Sequence, residues 1–260
     1  MKTQIGTKTL AWTEAGSGSP LVLVHGLPFQ RGMWAGQFPV LGKKFRVLAP
    51  DLPGFGESDL SSAAPSLDAW ADDLASLIEH WNCGPVVLAG HSMGGYMALA
   101  FARRHGALLR GLVMVASRSG ADTAEAAANR RSVATRLRTE SPEFVAEAML
   151  PRMLDSSSHA PDLLRSVREL MNPLRAEGIA WAQRAIADRI DSTNGLGAIA
   201  VPALVVAGER DAIIPLEESG ILAANFRHGR LEVIEKAGHM LSVEQPKAFH
   251  AVVERWLGEI

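Results

Sequence analysis

Short apolar runs set at wide intervals, with amphipathic stretches between them, constrain this chain more than any other feature. Five runs are strand-sized and rich in leucine or β-branched residues: Leu21-Val22-Leu23-Val24, Phe45-Arg46-Val47-Leu48-Ala49, Pro85-Val86-Val87-Leu88-Ala89, Gly111-Leu112-Val113-Met114-Val115 and Ala203-Leu204-Val205-Val206-Ala207. Their near-continuous hydrophobicity is that of parallel strands buried on both faces. A sixth run, Leu231-Glu232-Val233-Ile234, is weaker. Between the runs the period becomes helical. Leu67, Trp70, Leu74, Leu77, Ile78 and Trp81 fall on one face, with Ser66 at the N-cap position and Asp68 in the first turn. A last helix from about Glu244 to Leu257 is expected to turn Ala248, Val252, Val253 and Trp256 inward. The first residues and Thr7–Trp12, separated by a glycine, predict an antiparallel edge hairpin. Strands alternating with helices predict an α/β protein with a mostly parallel sheet flanked by helices.

One stretch breaks the alternation. From about Ser119 to Asp191 no convincing strand occurs, and Ala, Arg, Glu and Leu dominate. A helical insertion of residues 119–191 is expected, interrupting a core of residues 1–118 and 192–260. Within it Met149, Met153, Leu163, Leu164, Val167, Leu170 and Met171 recur at helical spacing. Packing among these helices accounts for most of that stripe, and a pocket face for the remainder.

Composition excludes several functions. The 260 residues carry 26 Lys+Arg against 28 Asp+Glu, a net charge of −2. No basic excess exists for a phosphate backbone or an anionic membrane, so neither partner is expected. The one cysteine, Cys83, can form neither an intrachain disulfide nor a thiolate cage, and reads as a half-buried apolar thiol. No run reaches the roughly 18 apolar residues of a membrane span. Residues Met1 to Gly6 hold no leader-like apolar run, so a soluble, cytoplasmic protein is expected.

The chemistry is concentrated where the run Pro85–Ala89 meets Gly90-His91-Ser92-Met93-Gly94-Gly95, followed by a helical pattern from Tyr96 to Arg104. Glycines on both sides of a serine let a helix pack tightly against the strand it follows while the serine holds a strained backbone. With 24 Gly in the chain, chance supplies G-x-S-x-G roughly 0.2 times per sequence of this length. The strand before and the helix after therefore matter as much as the motif.

In that context the chain resembles the α/β-hydrolase superfamily, whose triad runs in the order serine, acid, histidine. The resemblance implies Ser92 as nucleophile. It implies Asp211 as the acid, in Gly208-Glu209-Arg210-Asp211 after a late strand, and His239 as the base, in Ala237-Gly238-His239-Met240 before the last helix. Val24-His25-Gly26-Leu27-Pro28 is similar to the family's His-Gly loop, so the backbone N–H groups of Leu27 and Met93 are the expected oxyanion donors. Asp51-Leu52-Pro53-Gly54-Phe55-Gly56-Glu57-Ser58 looks like the family's turn after the next strand. These motifs span nearly the whole chain outside the insertion, which the resemblance makes a helical cap. Its eleven Arg and ten acids between Arg118 and Arg189 leave it nearly neutral. No metal or organic cofactor is implied.

Each assignment has a rival. Glu209 competes with Asp211, but the loop beyond the strand, rather than its last turn, faces such a site. His25 reads as structural support for the loop bearing Leu27, and His91 as a side chain directed into the core. His80, His105, His159, His228 and His250 fall in helical or surface contexts. Gly54-Phe55-Gly56 is a turn, since no third glycine completes a dinucleotide fingerprint. Ser92 excludes the aspartate-nucleophile dehalogenases and epoxide hydrolases. The Ser-Met-Gly-Gly elbow, with Pro28-Phe29 and Met33-Trp34 after the oxyanion loop, resembles small bacterial carboxylesterases and 3-oxoadipate enol-lactonases. Phe29 and Trp34 are pocket-wall candidates, or else core. A small, short-chain ester is the first expectation and an enol-lactone or a C–C bond in a small acid the second. A ligand receptor on a hydrolase fold is the third. If Asp211 orients the base, Asp211→Asn should cut turnover by roughly ten-thousand-fold. Steady-state kinetics beside Glu209→Gln checks this, and loss in the glutamate variant alone would exchange the two roles.

Overall fold

The computed structural model describes residues 1–157 and 161–260. His159 lies outside them. The strands are β1 (Lys2–Ile5), β2 (Lys8–Ala15), β3 (Ser19–Val24), β4 (Phe45–Pro50), β5 (Val86–His91), β6 (Leu109–Val115), β7 (Ala203–Gly208) and β8 (Gly229–Ile234). The α-helices are α1 (Phe38–Leu41), α2 (Leu67–His80), α3 (Met93–His105), α4 (Ala124–Arg136), α5 (Glu143–Met149), α6 (Pro161–Leu170), α7 (Ala176–Ala187), α8 (Leu216–Asn225), α9 (Leu241–Glu244) and α10 (Pro246–Leu257). Among the described residues the strands form one sheet in the order β1-β2-β4-β3-β5-β6-β7-β8. Strands β3 to β8 pair in parallel, while β1 and β2 join antiparallel, as the hairpin reading requires. This is the α/β-hydrolase arrangement that the motifs implied.

The continuous apolar runs are explained by what each strand face meets. Val22, Val24, Leu48, Val86, Leu88, Leu112 and Met114 point into one core layer with α2 and α3. The alternating residues Leu21, Leu23, Val47, Val87, Ala89, Val113 and Val115 point into the other, with Phe249 and Trp256 of α10. A central strand therefore has no polar face to offer. At the sheet edge the rule relaxes: Leu231 and Val233 of β8 are 36% and 39% exposed, which is why that run reads weakly.

The helical expectations hold with one correction. Ser66 Oγ accepts from the Asp68 N–H at 3.1 Å and starts α2. The last helix is broken at Gln245, because Pro246 cannot donate to the preceding turn and opens α10 instead. Its inward face is Phe249, Val253, Trp256 and Leu257; Ala248, expected inside, is exposed.

Between β6 and β7 the described residues contain helices and no strand. These helices sit on the core through specific contacts. The Trp181 ring of α7 stacks on Trp70 of α2 with centroids 4.5 Å apart. Its indole N–H donates to the Ala63 carbonyl at 3.2 Å. The helical stripe is packing: Met153, Val167 and Met171 are fully buried in one cluster with Phe29, Met33, Trp34 and Met240.

The two ends of the helical stretch are tied together. Ser192 N–H donates to Ser119 O at 3.0 Å, and the Ser119 and Thr193 hydroxyls meet at 2.8 Å. The Asp122 carboxylate is fully covered by Arg118, Arg130 and Arg189, at 3.0, 2.5 and 2.8 Å. Burial opposes its charge, but Arg130 and Arg189 outweigh that and hold its pKa below the usual carboxylate value. Removing the carboxylate leaves three guanidiniums facing one another. Asp122→Ala should therefore lose about 3 kcal/mol of stability or more, read as a lowered urea midpoint with an unchanged slope. A midpoint within experimental error of the wild type would show the cluster to be dispensable.

Candidate active site

Ser92 sits at the turn from β5 into α3 with φ 51° and ψ −112°, a left-handed backbone that a residue with a Cβ adopts at a cost of about 1–3 kcal/mol. The strain is held by the next strand: Ser92 N–H donates to Val115 O at 2.8 Å, and Ser117 Oγ donates to Ser92 O at 2.9 Å. Close packing of strand on helix demands glycine on both sides. A Cβ on Gly90 would come within 2.3 Å of Gly94 O, and one on Gly94 within 2.6 Å of Val24 O. The Ser92 side chain occupies the N-cap position of α3 yet caps nothing. Its residue is half-buried while both neighbours are buried.

His239 and Asp211 meet. His239 Nδ1 lies 2.8 Å from Asp211 Oδ2, with both side chains 1% exposed. The other carboxylate oxygen accepts from the backbone N–H of Ile213 and Ile214 at 2.7 and 2.9 Å. Burial raises the Asp211 pKa, but His239 and these N–H groups outweigh it, so the net displacement is downward. A carboxylate on Nδ1 holds that nitrogen's proton and leaves Nε2 as the basic atom of the ring. Glu209 is elsewhere, exposed and accepting from Lys236 N–H at 2.9 Å. Of the two acids, Asp211 is the one brought to the histidine.

The loop after β3 lies beside this pair. His25 is fully buried; its Nε2 accepts from Leu52 N–H at 3.0 Å and its Nδ1 stands 3.0 Å from Gly26 O. It thus braces the loop that carries Leu27. Asp51 anchors the same loop through Arg31 N–H at 2.8 Å and through the Arg31 guanidinium. Leu27 is buried and Met93 is the first residue of α3. Phe29 and Trp34, the pocket-wall candidates, are fully covered: Trp34 stacks on Phe249 at 6.3 Å, and both rings meet His91 edge-on. The core alternative describes them.

Several contacts had no signal in the sequence. Glu244 accepts from Gly238 N–H at 2.6 Å and from Asp155 N–H at 2.7 Å, clamping the histidine loop to the helical stretch. Arg210 reaches Asp155 Oδ2 at 2.9 Å. Asp155 lies 89 residues from Glu244 and 55 from Arg210, so only the folded chain brings those partners together. Cavities of about 120 and 450 Å³ along α3, sharing Leu99 and Arg103, are not lined by Ser92, Asp211 or His239. Among the described residues no three His, Cys, Asp or Glu side chains gather as a metal site would need. Nor is any helix long and apolar enough to cross a membrane.

His25 and His91 are buried neutral. Burial pushes both down, His91 to about 3, with the nearby His239 lowering it further. The unfolded chain takes up these protons near pH 6.5 and the folded chain does not. Stability should therefore fall as pH drops below about 6.5, approaching 1.4 kcal/mol per pH unit for each such ring. For His91 this continues toward its folded value of about 3. Urea midpoints at pH 7, 6, 5 and 4 measure it, and a flat series would mean that the rings protonate in place.

Comparisons with known proteins identify the family. Residues 21–252 match the family described as the alpha/beta hydrolase family. The dihydrolipoyllysine-residue acetyltransferase component of an acetoin cleaving system from Pseudomonas putida is 33% identical over 94% of the chain. The chain spans only 65% of that relative's length. A thermophilic esterase from Thermogutta terrifontis, solved with malate bound, is 40% identical with a TM-score of 0.94, covering 99% of this chain and 96% of that one. The enol-lactonase from Burkholderia xenovorans LB400 is 26% identical with a TM-score of 0.88, covering 99% of this chain and 100% of its own. With a strand-to-helix serine, an aspartate on a histidine and this sheet order all in one chain, the protein belongs to the alpha/beta hydrolase family.

Proposed function

We propose that this hydrolase is a serine carboxylesterase acting on small, short-chain esters. The observation that carries the reading is the buried Asp211–His239 pair at 2.8 Å, in a chain whose Ser92 is strained and caps nothing. Ser92 Oγ bonds to the ester carbonyl carbon while its proton passes to His239 Nε2. The carbonyl electron pair moves onto oxygen, and the backbone N–H groups of Leu27 and Met93 hold that oxyanion. Met93 opens α3, so the positive end of the helix adds to the field there. Collapse restores the carbonyl and expels the alcohol, which takes the proton from His239. Water then attacks the acyl-enzyme with His239 again as base, releasing the acid and restoring Ser92. Asp211 orients His239 and stabilises its imidazolium. The chemistry needs no cofactor.

Residues 1–118 and 192–260 make the catalytic core in this reading, and residues 119–191 a helical cap that sets substrate size. Supporting it, Met153 of the helical stretch accepts from Met240 N–H at 2.8 Å, next to the proposed base. Similarity over nearly its whole length to the Thermogutta terrifontis esterase favours ester hydrolysis. Similarity to the Burkholderia enol-lactonase keeps a second reading in view, in which the bond opened is a cyclic enol ester by the same steps.

A ladder of p-nitrophenyl esters from acetate to long acyl chains, with wild type and Ser92→Ala in parallel, tests the proposal. Rapid turnover of the short esters is expected, with loss on the order of a million-fold in the variant. A fluorophosphonate should label Ser92 alone. Labelling without ester turnover would shift the activity to lactones or C–C bonds of small acids. Absence of both would leave a ligand receptor.

A further inference from the structure

His91, the last residue of β5, is fully buried and makes a contact outside the triad. Its Nε2 lies 2.9 Å from the backbone carbonyl oxygen of His239. A carbonyl only accepts, so Nε2 carries the proton and Nδ1 is bare. Nδ1 is buried with no hydrogen-bond partner among the described residues. It faces the loop after β3, where a Cβ on Gly26 would come within 2.5 Å of it. The rings of Phe29 and Trp34 close on it edge-first with centroids at 6.5 and 6.4 Å, and the His239 ring lies at 4.8 Å. One residue thus places its ring against the loop bearing Leu27 and the loop bearing His239 while its backbone runs directly into Ser92.

We propose that His91 is a positioning residue for the reaction: its Nε2–H fixes the backbone of His239 relative to the serine that follows it in the chain. The inference rests on the serine-hydrolase reading above. Packing alone gives no reason for a polar ring here, since burying an unsatisfied nitrogen costs about 1–3 kcal/mol that an apolar side chain of similar shape avoids. The donor to His239 O is what the ring supplies in return. Burial and its histidine neighbour keep the ring uncharged, with a pKa of about 3. It therefore adds no positive charge beside His239 when that ring becomes imidazolium during turnover. The bond acts on geometry, and a base displaced by even 1 Å loses on the order of a hundred-fold in rate.

Three substitutions separate the donor from the bulk. His91→Gln sets an amide nitrogen near the Nε2 position, His91→Asn sets one near Nδ1, and His91→Leu removes both. With a short p-nitrophenyl ester, His91→Leu should lower kcat by roughly ten- to a hundred-fold while KM stays within about three-fold. His91→Gln should recover most of the loss and His91→Asn little. The rate of Ser92 labelling by a fluorophosphonate should follow the same order. A leucine variant as active as wild type, or a glutamine variant no better than leucine, would overturn the role. If His91→Leu does not give a cooperative melt, the Gln and Asn variants decide, and equal activity in the two overturns it. Wild-type protein inert toward both ester and phosphonate would overturn the hydrolase reading and this role together, whereas the order of variants in an active protein bears on His91 alone.

Discussion

The backbone of Ser92 stands at φ 51°, and what keeps it there is the strand next door. Its N–H is held by Val115, the last residue of β6, and its carbonyl by the hydroxyl of Ser117 just beyond that strand. The turn is therefore as stable as the β5–β6 pairing, which continues through His91 opposite Val115. Strain of this kind survives only where several contacts over-determine it. Here the sheet, the glycine-to-glycine approach of Gly90 and Gly94, and the start of α3 all agree.

From that turn the site is assembled by loops at the ends of neighbouring parallel strands. The residues after β3, β5, β7 and β8 bring Leu27, Ser92, Asp211 and His239 to one end of the sheet. Parallel strands make this automatic, since every strand delivers its following loop to the same side. The helices between β6 and β7 pack against the core through apolar contact, with Met153, Val167 and Met171 joining Phe29, Met33 and Met240 in one cluster. Ionic contacts act at that end too, where Arg210 meets Asp155, and also where Asp122 with its three arginines draws the two ends of the helical stretch to one point. Apolar packing sets how these helices lie, and the charge cluster sets where they are rooted.

The buried histidines show how one residue type serves opposite electrostatic ends. His239 has a carboxylate on its Nδ1. Among the described residues His25 and His91 hydrogen-bond to no carboxylate, and burial outweighs the pull of Asp51 and Asp211 and lowers both pKa values, His25 bracing Leu52 and His91 bracing His239 itself. In the proposed mechanism His239 becomes an imidazolium, and neighbours that stay uncharged do not oppose it.

Much of this was legible along the chain. The apolar runs specified buried parallel strands because a strand covered on both faces has no polar residues to show, and β8 read weakly because it is an edge. Ser66 and the face from Leu67 to Ile78 specified α2, and the glycines flanking Ser92 specified the turn, since nothing larger fits. The histidine and acid were legible only as motifs in loops after strands; their pairing at 2.8 Å joins residues 28 apart through a fold. Other features left no sequence trace. Phe29 and Trp34 looked equally able to line a pocket or a core, and burial against His91 and Phe249 decided it. Ala248 and Phe249 are adjacent, and only the break at Pro246 set which one faces inward. The bond from His91 to His239 O spans 148 residues. Local periodicity and steric demand act within a few residues and are written into the sequence; contacts between distant loops depend on the registers of the strands that carry them, and those exist only once the sheet has formed.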